Sequence, residues 1–378
     1  MNSIKYLGVI CFSALLLGTE SCEKNLPESS ASDKFQKILD KKLEEFEGKG
    51  ISAAISFNTD EIWSGESGIS NGSLPIEDNM VFCIGSVTKT FVAALCLQLV
   101  DEKLFHLDDP LHKWLPSYPN IDSLITVRQL LNNTSGINNL SDNTNLWNSV
   151  FEQPNKKWTM DELLGSYVLE PYADPGDGWF YSNTNYILLG EIIRKSTGTD
   201  VSYQLRTRFF EPLGLDHTFF AVEEQLPSQL AHGWFDLSGD GSNNDISLIS
   251  ETGIYSVLWT SAAIFSTAKD LVKWCSVLLN GDVLSESRLD DMLTQVCTMP
   301  GSSDVGCGMG IFLISSKNST GLELIGYTGR TFGYLSSMFY VPEFGISVVV
   351  LINEDNAAFL DSVTTELILS AIKNSNEK

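Results

Sequence analysis

Strand-like runs at both ends of the chain, with a long helical middle between them, constrain the fold of these 378 residues more than any other feature. Residues 51–57 and 61–70 are short runs rich in Ile, Ala, Ser and Trp, divided by Asn58-Thr59-Asp60, which signals a hairpin. Residues 322–327, 334–341 and 346–353 read as three more strands, punctuated by Gly329, Gly333, Pro342 and Gly345. Helical periodicity precedes the first pair, at Phe35, Ile38, Leu39, Leu43 and Phe46, and a helix over 359–373 closes the chain. Between these ends, residues 89–99, 127–131, 161–169, 187–196, 203–210 and 268–279 favour helix. The expectation is an α+β fold: an antiparallel sheet closed by distant segments (about 34–85 and 266–378), flanked by helices and carrying a large helical insertion (about 90–265). Together they form one domain, 34–378, with a ligand site expected between the sheet and the insertion. No internal repeat or low-complexity tract interrupts it.

The first residues stand apart. Lys5 supplies a positive start, and the uncharged run 6–17 is too short to span a bilayer but suits a secretory signal over 1–21. Thr19-Glu20-Ser21-Cys22 resembles a lipoprotein cleavage site, although Glu20 departs from the usual pattern. Cys22 would then be the lipidated first residue, and 22–33 a polar tether. A plain signal peptide with an incidental cysteine is the other reading. Both imply export; the first implies a membrane-anchored lipoprotein facing the periplasm or cell surface of a bacterium.

Hydrophobic residues at 43% and charged residues at 19% describe a well-filled core. A formal charge of −24 argues against nucleic acid as a partner, since phosphate binding needs a concentrated cationic surface. Of seven cysteines, Cys83 and Cys96 sit in apolar runs, while Cys297 and Cys307 flank a Gly/Ser/Pro loop and could pair in an oxidising compartment. No CxxC motif or Cys/His cluster exists, so no zinc site is expected; no cofactor is expected either.

Four histidines, His106, His112, His217 and His232, are the only candidates for a Ser-His pair, and none has a catalytic setting. The single GxSxG match, Gly68 to Gly72, lacks the strand-turn-helix context of a nucleophile elbow. Ser86-Val87-Thr88-Lys89 offers another base. Serine and lysine three apart on a helix share a face, the helix N-terminus favours a developing oxyanion, and burial would free the amine as a base. The spacing alone is weak, for it recurs at Ser21/Lys24, Ser266/Lys269, Ser370/Lys373 and Ser375/Lys378. Read alone, Ser86 is a helix cap and Lys89 a solvated lysine. Two further segments strengthen the catalytic reading. Tyr181-Ser182-Asn183 follows a turn and could aim Tyr181 and Asn183 to one side. Gly326 to Gly333 lies on or just after a strand, with glycines that would let a substrate backbone approach.

In that order, SxxK, YSN and a strand bearing Thr328-Gly329 resemble the class C β-lactamase and DD-peptidase superfamily of penicillin-recognising serine enzymes. The connecting stretches HLDDPLHKWLP, ITVRQLLNNTSGI, FFEPLGLDHTFF and FSTAKDLVKWCSVLLNG extend the resemblance from about residue 45 to 355. It implies an acyl-enzyme on Ser86, with Lys89 as base, Tyr181 as proton shuttle, and Asn183 positioning Lys89 and the substrate amide. The backbone N–H groups of Ser86 and Arg330 would form the oxyanion hole, in a substrate-binding strand containing Tyr327, Thr328, Gly329 and Arg330. Two departures matter: Tyr327 replaces the usual Lys or His, and Arg330 replaces a small residue. Arg330 either takes over carboxylate binding or faces solvent. The implied activity is hydrolysis of an amide or ester: a β-lactam, a D-Ala-D-Ala-type peptide or a carboxylic ester. An acyltransferase of the same fold is the alternative, with Trp147, Phe151, Trp158 and Trp179 lining an acceptor pocket. A binding protein that kept the fold is a third reading.

Overall fold

A computed structural model describes residues 30–57, 61–315 and 321–376. The expected signal segment and Cys22 lie outside the described residues. The first helix, α1 (Ala31–Glu45), begins earlier than its apolar stripe suggests, so residues 31–33 belong to it and not to a tether. Ser30 caps it: the Ser30 hydroxyl accepts from the Asp33 N–H while the Asp33 carboxylate accepts from the Ser30 N–H.

The main sheet has nine antiparallel strands: β1 (Gly50–Phe57), β2 (Glu61–Asn71), β3 (Leu74–Pro75), β4 (Cys297–Thr298), β5 (Val305–Cys307), β6 (Phe312–Ser315), β7 (Glu323–Thr331), β8 (Tyr334–Val341) and β9 (Ile346–Ile352). Their spatial order is β3-β2-β1-β9-β8-β7-β6-β5-β4. The two ends of the chain therefore meet at its centre, where β1 pairs with β9 in the register Ile51↔Ile352, Ala53↔Val350 and Ile55↔Val348. Those residues face α1 and the terminal helix, while Ala54, Val349 and Leu351 face the helical region. With both faces covered, β9 reads as a nearly continuous apolar run, ISVVVLI, interrupted only by the buried Ser347, instead of alternating. Lys42 ties the two covering helices together through Glu366, 3.2 Å away.

The helical region contains α2 (Thr88–Asp101), α3 (Asn183–Thr197), α4 (Glu251–Ala262) and α5 (Ala268–Leu279), and the chain ends in α6 (Ala357–Asn376). It leaves and rejoins the sheet side by side: Phe82–Cys83 pairs with Ile264–Ser266, Phe82 opposite Ser266. Three features depart from the sequence reading. Strands β4 to β6 were hidden in short runs within Gly- and Ser-rich text. Three helices, Thr144–Glu152, Glu251–Ala262 and Glu286–Leu293, were not anticipated from the sequence. In α4 the reason is local, because its Ser, Thr and Gly content opposes helix and Trp259 breaks it with φ 34°. The expected helix over 203–210 is instead a short α-helix, Val201–Leu205, followed by a π-turn, Arg206–Phe210. No described helix is long and apolar enough to cross a membrane.

Candidate active site

Ser86 lies in a single 3-10 turn, Gly85–Val87, that feeds directly into α2. Helix α2 is buried on every side, which its run TKTFVAALCLQLVD permits because only Lys89 in its first turns carries a charge. One helical turn after the serine, Lys89 is completely buried. The decoy at Ser266/Lys269 shows what spacing alone cannot decide. Lys269 is 45% exposed and pairs with Asp78 on the surface.

Strand β7 meets the Ser86 turn face to face, and two glycines make the approach possible. A Cβ on Gly329 would stand 1.9 Å from the Ile84 carbonyl oxygen. A Cβ on Gly85, whose φ is +52°, would stand 2.7 Å from the Arg330 nitrogen. The hydroxyl of Ser336 on β8 donates to the same Ile84 carbonyl at 2.8 Å and locks the turn to the sheet. Beyond Gly326, β7 has β8 on one side only, since β6 pairs no further. Its other edge, from Tyr327 to Thr331, is open to the cleft.

Tyr181 and Asn183 arrive from the third side, at the start of α3. Their loop is held by an asparagine-rich segment. The side-chain oxygen of Asn133 accepts from Ser182 N–H at 3.2 Å and from Asn185 at 2.9 Å, and that of Asn139 accepts from Asn183 N–H at 3.0 Å. The result is a compact polar cluster. Tyr181 Oη is 2.6 Å from Ser86 Oγ. Lys89 Nζ is 3.2 Å from Ser86 Oγ, 2.7 Å from Asn183 Oδ1 and 2.8 Å from the Ser261 carbonyl oxygen. Asn183 is fixed in turn by donating to Ser141 Oγ at 2.9 Å.

Electrostatics follow from burial. Desolvation holds Lys89 well below the ordinary lysine value. Two of its three contacts, Asn183 Oδ1 and Ser261 O, are acceptors only. A neutral amine has two N–H bonds to give them, which leaves its lone pair for the Ser86 hydroxyl. Burial pushes Tyr181 up to about 12, against opposing hydrogen bonds from Ser86 and Tyr327, so it stands as a phenol able to pass a proton on. The cluster can deprotonate a serine and return a proton to a leaving group without a histidine. Among the described residues no histidine lines the cleft, and Ser70 of the GxSxG match is buried in β2, where it accepts from His232 N–H.

The structure thus brings Ser86, Lys89, Tyr181 and Asn183 together and sets Tyr327, Thr328, Gly329 and Arg330 along the same cleft. Tyr327 is a wall: it is buried and stacks on Phe312 at 4.3 Å. Arg330 fits neither expectation. Its guanidinium donates to Asp355 Oδ2 at 2.6 Å, so it is neither free for a carboxylate nor simply solvated. Of the four aromatics expected at an acceptor pocket, only Trp179 lines the cleft. Trp147 and Phe151 pack behind Phe332, and Trp158 packs on Tyr167. Sequence reasoning missed Ser261, Asp355 and Asp361. Ser261 contributes a backbone carbonyl in the last turn of α4, free because helix ends lack intrahelical donors. Cys297 and Cys307 lie opposite each other on β4 and β5, both as free thiols. Among the described residues no three His, Cys, Asp or Glu side chains gather as a metal site would require.

Fold and cluster together define a serine hydrolase of the penicillin-binding and β-lactamase type. Residues 35–373 match the Beta-lactamase family model, and the chain belongs to that family. It is 25% identical over 289 residues to "Penicillin-binding protein 4*" of Bacillus subtilis, covering 74% of this chain and 62% of that protein's length. It is 22% identical to "D-alanyl-D-alanine-carboxypeptidase/endopeptidase AmpH" of Escherichia coli, over 93% of this chain and 91% of that one. Among solved structures, D-amino acid amidase from Ochrobactrum anthropi SV3, complexed with D-phenylalanine, superposes with a TM-score of 0.79 at 29% identity. That match covers 92% of this chain and all (100%) of the amidase.

Proposed function

We propose that the protein hydrolyses a small amide or ester through an acyl-enzyme on Ser86. The observation that carries this reading is the pair of contacts at Ser86 Oγ, with Tyr181 Oη at 2.6 Å and the buried Lys89 Nζ at 3.2 Å. Neutral Lys89 takes the serine proton as Oγ attacks the carbonyl carbon, and the backbone N–H groups of Ser86 and Arg330 receive the oxyanion. As the carbon–nitrogen or carbon–oxygen bond breaks, Tyr181 gives its proton to the leaving group and recovers one from Lys89. Water then attacks the ester, losing its proton along the same relay, and Ser86 leaves with a proton restored. Asn183 keeps Lys89 in place throughout. The carboxypeptidase, amidase and penicillin-binding relatives support amide chemistry of this kind.

Intact-mass analysis after incubation with a fluorophosphonate and with 4-nitrophenyl acetate tests the reading. The expected result is one adduct, mapped to Ser86, absent from S86A and slowed by roughly 100-fold or more in Y181F. A wild-type chain that forms no adduct, or an S86A chain that still does, overturns it. Export and anchoring at Cys22 are proposed on the sequence alone. Labelling with a palmitate analogue in a bacterial host should mark the wild-type chain and not C22A.

A further inference from the structure

The face of α6 that turns to the cleft is built from Ala357, Leu360 and Asp361, positions three and four apart on one helical stripe. Leu360 packs in the core with Trp179, Met299 and Leu335, all of which also line the cleft. A stripe in such surroundings calls for another apolar residue, yet the position holds a carboxylate. Among the described residues Asp361 has no hydrogen-bond donor and no cation beside it. Burial alone pushes it up to about 6. A partly desolvated carboxylate without a partner is a net cost to the folded chain, so folding does not account for it.

The rest of the cleft sharpens the question. Arg330 is the one cation lining it among the described residues, and Asp355 already neutralises that guanidinium. The cleft wall therefore carries a surplus negative charge at Asp361, within the same cavity as Ser86. Trp179 lines the same cavity, and an aromatic ring is the other kind of surface to which a desolvated ammonium is drawn. This is the reverse of a cleft suited to a carboxylate-bearing substrate.

We infer that Asp361 is a specificity-determining residue that receives a protonated amine of the substrate, so that the natural substrates are amides or esters carrying a free amino group. The inference rests on the acyl-enzyme reading above and names the substrate class for that same site.

Two matched ester series test it. In the first the amine sits in the acyl half: phenylalanine methyl ester, both enantiomers, against methyl 3-phenylpropionate. In the second it sits in the leaving half: 2-aminoethyl acetate against propyl acetate. The wild-type enzyme should favour the amine-bearing member of at least one series by roughly 30-fold or more in kcat/KM. In D361N and D361S that preference should collapse to within about threefold, because the amine-bearing substrate loses far more than its analogue. The series showing the effect tells which half of the substrate Asp361 meets. No preference in either series, or a preference that survives both variants, overturns the assignment. Fluorophosphonate labelling of Ser86 in the same samples separates this outcome from failure of the acyl-enzyme reading, which would abolish labelling of the wild type. Melting temperatures of the variants verify folding.

Discussion

Replacing Gly329 by alanine tests whether the close approach of β7 to the Ser86 turn creates the active site. The added Cβ would lie 1.9 Å from the Ile84 carbonyl oxygen and 2.4 Å from Ser336 Oγ, against the 3.4 Å at which ordinary contact begins. The serine side chain can rotate away, but the carbonyl belongs to the backbone immediately before Gly85 and Ser86. Relief requires the strand and the turn to separate by about 1.5 Å, the difference between 3.4 and 1.9 Å. Such overpacking costs about 1–3 kcal/mol, which a domain of this size can bear while remaining folded. Catalysis cannot absorb it so easily, since a misplacement of about 1 Å can lower a rate about 100-fold. G329A should therefore melt at a modestly lower temperature yet acylate at least about 100 times more slowly, measured by stopped-flow release of 4-nitrophenol. If folded G329A acylates within about threefold of wild type, the turn is free to move and the argument fails.

Lys89 sets a pH dependence in two observables. Its folded-state value is depressed by burial, so acylation should rise with pH and reach its plateau well below the ordinary lysine value of 10.5. The same shift means that the unfolded chain binds more protons between the two values. Stability should therefore be highest above pH 10.5 as far as this group is concerned, and fall as pH drops toward the folded value. K89M should abolish the acylation profile and flatten this component of a chemical-denaturation series against pH. A wild-type profile that plateaus only near 10.5 would refute the buried-base assignment. Cys297 and Cys307, directly opposed on neighbouring strands, should cross-link on mild oxidation with a mass loss of about 2 Da, a change absent from C307S. A wild-type chain that keeps both thiols under those conditions would contradict that pairing.

Much of the fold was legible because strands at the centre of the sheet are long and apolar on both faces. The runs that became β1, β2, β7, β8 and β9 were visible in one-dimensional pattern. The small strands β4 and β5, two and three residues long, were not, because their pairing comes from neighbours and not from their own composition. Helix α4 was invisible for a similar reason: packing holds together a sequence whose intrinsic preference opposes helix.

The site divides along the same line. Sequence alone determined that Ser86 and Lys89 share a helical face, because one helical turn, here a 3-10 turn running into α2, brings residues three apart together whatever surrounds them. It also supplied glycine at positions 85 and 329, without which no backbone could pass. Only the tertiary structure decided what those residues become. Full burial, contributed by segments far away in the chain, separates Lys89 from the solvated Lys269 at the same spacing. Ser261 reaches Lys89 across 172 residues with a backbone carbonyl, an atom every residue possesses and no sequence pattern marks. Asp355 and Asp361 likewise gain their meaning only where α6 and the strand ends meet the cleft: one cancels Arg330, and the other is left facing the nucleophile's cavity unpaired. Local geometry can be written in spacing, but charge balance and desolvation belong to whatever distant atoms close around a group, and those are set by the fold.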